Sequence, residues 1–115
     1  MGNLAFIHGL VHGTILAIPV FLALAWAREF RLDPVGAGGL AAIAYVGFGA
    51  ASVPFGRLAD RGEARDLLAL CVAGIAASLA AVSLSPTLPA LAISLAALGV
   101  ASGAYHPTAL AFISR

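Results

Sequence analysis

Charge is what this 115-residue chain has least of. Charged residues make up 10% of it, where soluble domains average about 25%. That is too little to clothe a water-facing surface, so most of the solvent must be lipid. Lysine is absent, and all six basic residues are arginine. They form no basic stripe outside short polar connections, which leaves no footprint for nucleic acid. Cysteine occurs once, as Cys71 in an apolar run, so no internal disulfide forms and a small buried hydrophobe is expected there. The start Met1-Gly2-Asn3 has no basic side chain. Ala23-Leu24-Ala25 has the form of a cleavage site, but the apolar run ahead of it is too long for a signal peptide, so a retained helix is expected. No nucleophile–base arrangement and no pair of acids falls at membrane depth. The chain is therefore not read as an enzyme, and no cofactor is expected.

What is present is four long apolar runs. Residues 4–27, 35–55, 67–84 and 88–113 are each long enough for a spanning helix, which needs about 20 apolar residues. The fold expected is all-α: a polytopic integral membrane protein whose main partner is the lipid bilayer. Pro19 kinks the first run, as membrane helices tolerate where neighbours satisfy the freed carbonyl. Trp26 ends that run at headgroup level. Asp33-Pro34 closes a polar turn. In the second run Tyr45, Gly49, Ser52 and Gly56 share one helical face, read as a close helix contact. Serines of the third run bond back to their own helix.

Residues 54–66 contain Arg57, Asp60, Arg61, Glu63, Arg65 and Asp66, six of the eleven Arg, Asp and Glu in the chain. A charged break between two apolar runs is a hairpin loop, here 56–66. Arg57, Arg61, Arg65 and Arg115 fall on one side of the membrane, Arg28 and Arg31 on the other. Four against two puts the loop and the N-terminus in the cytoplasm. Gly56 lets the end of helix two approach a neighbour and turn. Arg57 and Arg61 complement that helix's negative end. Glu63 and Asp66 lie near the positive end of helix three, where Asp66 is a candidate cap.

The order within this loop resembles a family signature. Gly56-x-Leu58-Ala59-Asp60-Arg61 is similar to the motif G-x-L-a-D-r-x-G-r-k that the major facilitator superfamily carries between helices two and three on the cytoplasmic side. Arg65 matches its last basic position. Gly62 stands one place before the second glycine, Glu63 occupies that glycine's place, and Ala64 replaces a basic residue. The resemblance implies a secondary transporter that moves a small solute by alternating access, in a bacterial or archaeal plasma membrane. It implies that Asp60 joins an inter-helix charge contact stabilising one access state. It also implies a twelve-helix fold of three-helix inverted repeats. Four helices then form an N-terminal portion, whose partners are the remaining helices.

Inside the apolar runs the ionisable residues of interest are His8, His12 and His106. His8 and His12 are spaced i, i+4 and share a face. They lie roughly 6 and 12 Å along helix one from Leu4, and His106 roughly 13 Å back from Arg115. All three therefore sit at similar depth in the cytoplasmic half. In the superfamily helices one and four line the central cavity, so the three histidines are expected to converge there. Histidine titrates near neutral pH and suits a coupling proton or an anionic solute, although near a helix end it also serves simply by bonding a carbonyl. The i, i+4 spacing suits a metal, but no acid or cysteine joins the pair in helix one, so no metal is expected. His106 is the first candidate. Gly99, Ser102 and Gly103 share its face as a small, polar cavity wall, with Tyr105 and Thr108 beside it. Gly9-x-x-x-Gly13 and Gly99-x-x-x-Gly103 suggest that helices one and four pack tightly.

Gly103-Ala104-Tyr105-His106-Pro107 resembles helix four of the fosmidomycin-resistance-type exporters, a branch of the same superfamily. Proton-driven exporters often carry an arginine in this helix. None precedes Arg115 here, so His106 is its natural substitute in proton coupling. Two other readings start from the chain's length. Small multidrug-type exporters have four helices and work as dimers, but their first helix carries an embedded glutamate that the first run here lacks. A membrane subunit that does not transport would use the glycine-rich faces to bind partner helices.

Overall fold

The computed structural model describes residues 2–62 and 64–114, with side chains from residue 5 onward. Met1, Glu63 and Arg115 lie outside the described residues, and with them the reading of Glu63 near helix three and the share of Arg115 in the arginine count. Four long helices follow one another. The first, α1, runs as Gly2–Phe21, a π-helical turn Leu22–Trp26 and a last turn Ala27–Glu29. Then come α2 (Pro34–Arg61), α3 (Ala64–Ser83) and α4 (Leu88–Ile113). All four are long and apolar enough to cross a membrane, and no strand occurs among the described residues.

Each helix end has a local cause. Pro19 has no N–H, so the carbonyl of Ile15 loses its bond within α1. The Tyr45 hydroxyl of α2 donates to that carbonyl at 3.4 Å. Beyond Pro19, the rings of Phe21 and Trp26 stack at 5.6 Å. α1 then closes in a Schellman motif. Leu32 N–H reaches the Ala27 carbonyl at 2.8 Å, and Arg31 N–H reaches Arg28 at 3.4 Å. Arg31 takes the left-handed conformation, at φ 52°, that glycine usually supplies there. The Asp33 carboxylate then caps α2 by accepting from Gly36 N–H at 2.7 Å, with Pro34 in the first turn. Thr87 caps α4 in the same way, accepting from Ala90 N–H at 3.4 Å, with Pro89 in the first turn.

The hairpin between α2 and α3 is shorter than 56–66. Helix α2 continues through Arg61, and α3 begins at Ala64. Gly56, Leu58, Asp60 and Arg61 are therefore helical, and the chain turns at Gly62, whose backbone is extended. The apolar run ends before the helix does, because Arg, Leu and Ala are strong helix formers whatever solvent surrounds them. Pro54 interrupts α2 without ending it, since a proline removes one hydrogen bond and α2 runs on past it. Gly56 is thus a contact position rather than a turn: a Cβ there would stand 3.4 Å from Pro107. Asp66 lies within the first turn of α3, not at its cap, and complements the helix dipole from there.

Helix α4 is the centre of the packing, with α2 on one side and α3 on the other. It is apolar all round, as a helix with neighbours on several sides should be. Leu91, Leu95, Leu98 and Tyr105 of α4 are fully buried among Leu40 and Ala44 of α2 and Cys71 and Ile75 of α3. Gly99 and Gly103 give α4 its close approach to α2. A Cβ at Gly99 would collide with the Ala44 carbonyl, and one at Gly103 with the Phe48 carbonyl. The tight contact is therefore between α2 and α4, not α1 and α4: a Cβ at Gly9 or Gly13 would meet nothing within 4 Å. On α2 the packed face is Ala44, Gly47, Phe48 and Ala51. Gly49, expected in a contact with Tyr45, Ser52 and Gly56, opens to free space. Leu16, Leu24, Val46, Leu70, Ile93 and Leu110 point outward, which would be costly in water and suits a bilayer.

Candidate functional site

The three membrane-embedded histidines meet. One helical turn brings the rings of His8 and His12 to 4.6 Å between centroids on α1. Across the gap to α4, the His106 ring lies 5.2 Å from His8 and 4.8 Å from His12. One ring nitrogen from each of the three falls within 4.8 Å of the others. The Phe48 ring of α2 approaches His106 edge-on at 5.4 Å, and the Tyr105 ring stands 5.6 Å from it. Tyr105 also lies 6.3 Å from His8. His106 is half-buried, while His8 and His12 are exposed. The cluster is thus anchored at α4 and adjustable at α1.

The other residues expected beside His106 are used differently. Gly99 and Gly103 are consumed in packing against α2. Ser102 is completely buried, and its hydroxyl has no hydrogen-bond partner among the described residues. Tyr105 is buried too, at the edge of the histidine cluster. Thr108 turns its hydroxyl back to the Ala104 carbonyl at 2.7 Å. The small, polar face of α4 is therefore mainly a packing surface, and His106 is its half-buried member.

One cavity lies next to the histidines rather than around them. It has a volume of about 530 Å³, and its lining includes Gly13, Thr14, Trp26, Glu29, Ser85 and Leu98. It follows α1 toward the end opposite His8. Most of its wall is apolar, and Glu29 is its one carboxylate. The sequence does hold a signal for it: Trp26 and Glu29 are three residues apart and share a helical face.

The signature residues occupy the helix hairpin. Gly56, Leu58, Asp60 and Arg61 lie on the last turns of α2, and Arg65 near the start of α3. Leu58, Asp60, Arg61 and Arg65 are exposed. Because the helices alternate in direction, this hairpin shares a membrane side with the start of α1 and the end of α4. The histidines lie deeper on that same side.

Residues 4–115 match the family model described as Major Facilitator Superfamily. No curated protein and no solved structure matches the chain.

Proposed function

Since this chain belongs to the Major Facilitator Superfamily, and so to a family of membrane transporters, we propose that it acts as a proton-coupled secondary transporter of a small solute, with His106 as the coupling residue. Its integral membrane character and major-facilitator type of transport rest on the family match and the four spanning helices. Membership favours this reading over the small multidrug-type exporter and over the subunit that does not transport. The acid of α1, Glu29, stands at the helix's end rather than in its middle.

The observation that carries the proposal is the meeting of His8, His12 and His106. Histidine is the side chain whose ordinary titration lies near neutral pH, so a coupling proton can be held at such a cluster. The cluster links α1 to α4, and motion between those helices would change its geometry. In the same proposal Gly56, Leu58, Asp60, Arg61 and Arg65 are the conformational signature, with Asp60 biasing one access state. In it the N-terminus is cytoplasmic, the solute crosses by alternating access, and further transporter helices complete the cavity. The Tyr105-His106-Pro107 segment favours the fosmidomycin-resistance-type branch.

Solute flux in proteoliposomes, with and without an imposed pH gradient, tests the proposal. His106→Gln keeps a hydrogen-bonding side chain of similar reach but does not titrate. The gradient-driven component is expected to disappear in that variant. Flux and its pH dependence identical to the unmodified chain would exclude His106 from coupling.

A further inference from the structure

We propose that His8, His12 and His106 form a binding site for a divalent transition-metal ion of the zinc class. The i, i+4 pair on α1 lacks a third ligand in its own helix, and α4 supplies it. One ring nitrogen from each histidine lies within 4.8 Å of the other two. In a tetrahedral zinc site the metal–nitrogen distance is about 2.0–2.1 Å, which sets ligand nitrogens about 3.3 Å apart. Closing the remaining distance takes side-chain rotation of His8 and His12, both exposed and so free to rotate. His106 stays as the anchor, half-buried and with the rings of Phe48 and Tyr105 against it. Among the described residues none of the three imidazoles has a hydrogen bond to a protein carbonyl or carboxylate, so no such bond must be broken for a ring nitrogen to face the ion.

The donor set chooses the ion. Imidazole suits zinc, cobalt, nickel and copper, whereas magnesium and calcium require oxygen ligands. Three neutral ligands leave the full dipositive charge uncompensated and one tetrahedral position open. Water or an anionic group would take that position, and a zinc-bound water ionises near neutral pH. The ion would also bridge α1 to α4, joining two helices whose own contact is slight. The site does not depend on the proton-coupling proposal, because binding is measured without flux.

The test uses the full chain, free of any added histidine tag, in lipid nanodiscs. Zinc titration by calorimetry is expected to show one ion per chain. Cobalt, as a spectroscopic substitute, is expected to give the intense visible bands of a tetrahedral site. His8→Ala, His12→Ala and His106→Ala should each weaken zinc binding by at least about tenfold, with helix content unchanged by circular dichroism. If His106→Ala does not fold, His106→Cys retains a ligand. It should still bind cobalt and add a sulfur-to-metal charge-transfer band. The proposal is overturned if the folded, unmodified chain binds no zinc stoichiometrically. It is equally overturned if binding survives the single replacements unchanged, or if the cysteine variant binds cobalt without the new band.

Discussion

The hydroxyl of Tyr45 on α2 donates to the carbonyl of Ile15 on α1 at 3.4 Å, the carbonyl that Pro19 strips of its helical partner. The proline position in one helix is thereby tied to a side chain on another. Interhelical hydrogen bonds in membranes average about 0.6 kcal/mol, and a long bond belongs near or below that mean. Tyr45→Phe should destabilise the chain by about that amount. Pro19→Ala gives the Ile15 carbonyl an N–H of its own, so in that background the Tyr45→Phe cost should shrink. A double-mutant cycle followed by detergent unfolding checks this. Equal costs in the two backgrounds would separate the tyrosine from the proline.

Arg31 holds a left-handed conformation in the Schellman motif that ends α1. For a residue with a Cβ this costs roughly 1–2 kcal/mol, and glycine escapes it. Arg31→Gly should raise stability by about 1 kcal/mol. Arg31→Val should lower it, since β-branching makes this backbone region worse. Unfolding midpoints of the two variants, moving in opposite directions, are the check.

Substituting glycines should divide them by what faces them. Gly99→Ala and Gly103→Ala would each drive a methyl into an α2 carbonyl. Overpacking of this kind costs about 1–3 kcal/mol, and here backbone rather than a flexible side chain must move. Gly9→Ala and Gly13→Ala meet open space, and should be neutral or slightly stabilising through better helix propensity. Thermal unfolding of the four variants in one detergent compares them directly.

These contrasts show what the sequence does and does not reveal. The four spans follow from hydropathy, because crossing a bilayer demands long apolar runs. The shared depth of His8, His12 and His106 follows from helical rise, because alternating helices return to the same membrane side, whereas the neighbouring of helices one and four comes only from the resemblance to the superfamily. Partner choice is harder. Gly9-x-x-x-Gly13 and Gly99-x-x-x-Gly103 look alike as patterns, yet only the second faces a helix backbone. Small residues permit close approach without naming which helix approaches. The end of α2 was hidden for a related reason. Hydropathy marks where lipid ends, whereas Arg57, Leu58, Ala59 and Arg61 continue the helix by backbone propensity. Arg31 gives no sequence signal for a left-handed cap, since the expected signal is glycine.

Ser102 makes the last case. Its side chain is fully buried, and its hydroxyl has no partner among the described residues. Leaving a buried hydroxyl unmatched costs about 1–3 kcal/mol, while alanine fills nearly the same space without a polar atom. Ser102→Ala should therefore leave stability unchanged or raise it. Thr108 is the contrast, buried to the same degree but with its hydroxyl bonded to the Ala104 carbonyl at 2.7 Å. Thr108→Val keeps the shape and removes that bond, and should cost about 0.5–1.5 kcal/mol. Unfolding both variants side by side gives the answer: a loss at Ser102 as large as that at Thr108 would mean that the serine hydroxyl has a partner in the membrane-embedded protein.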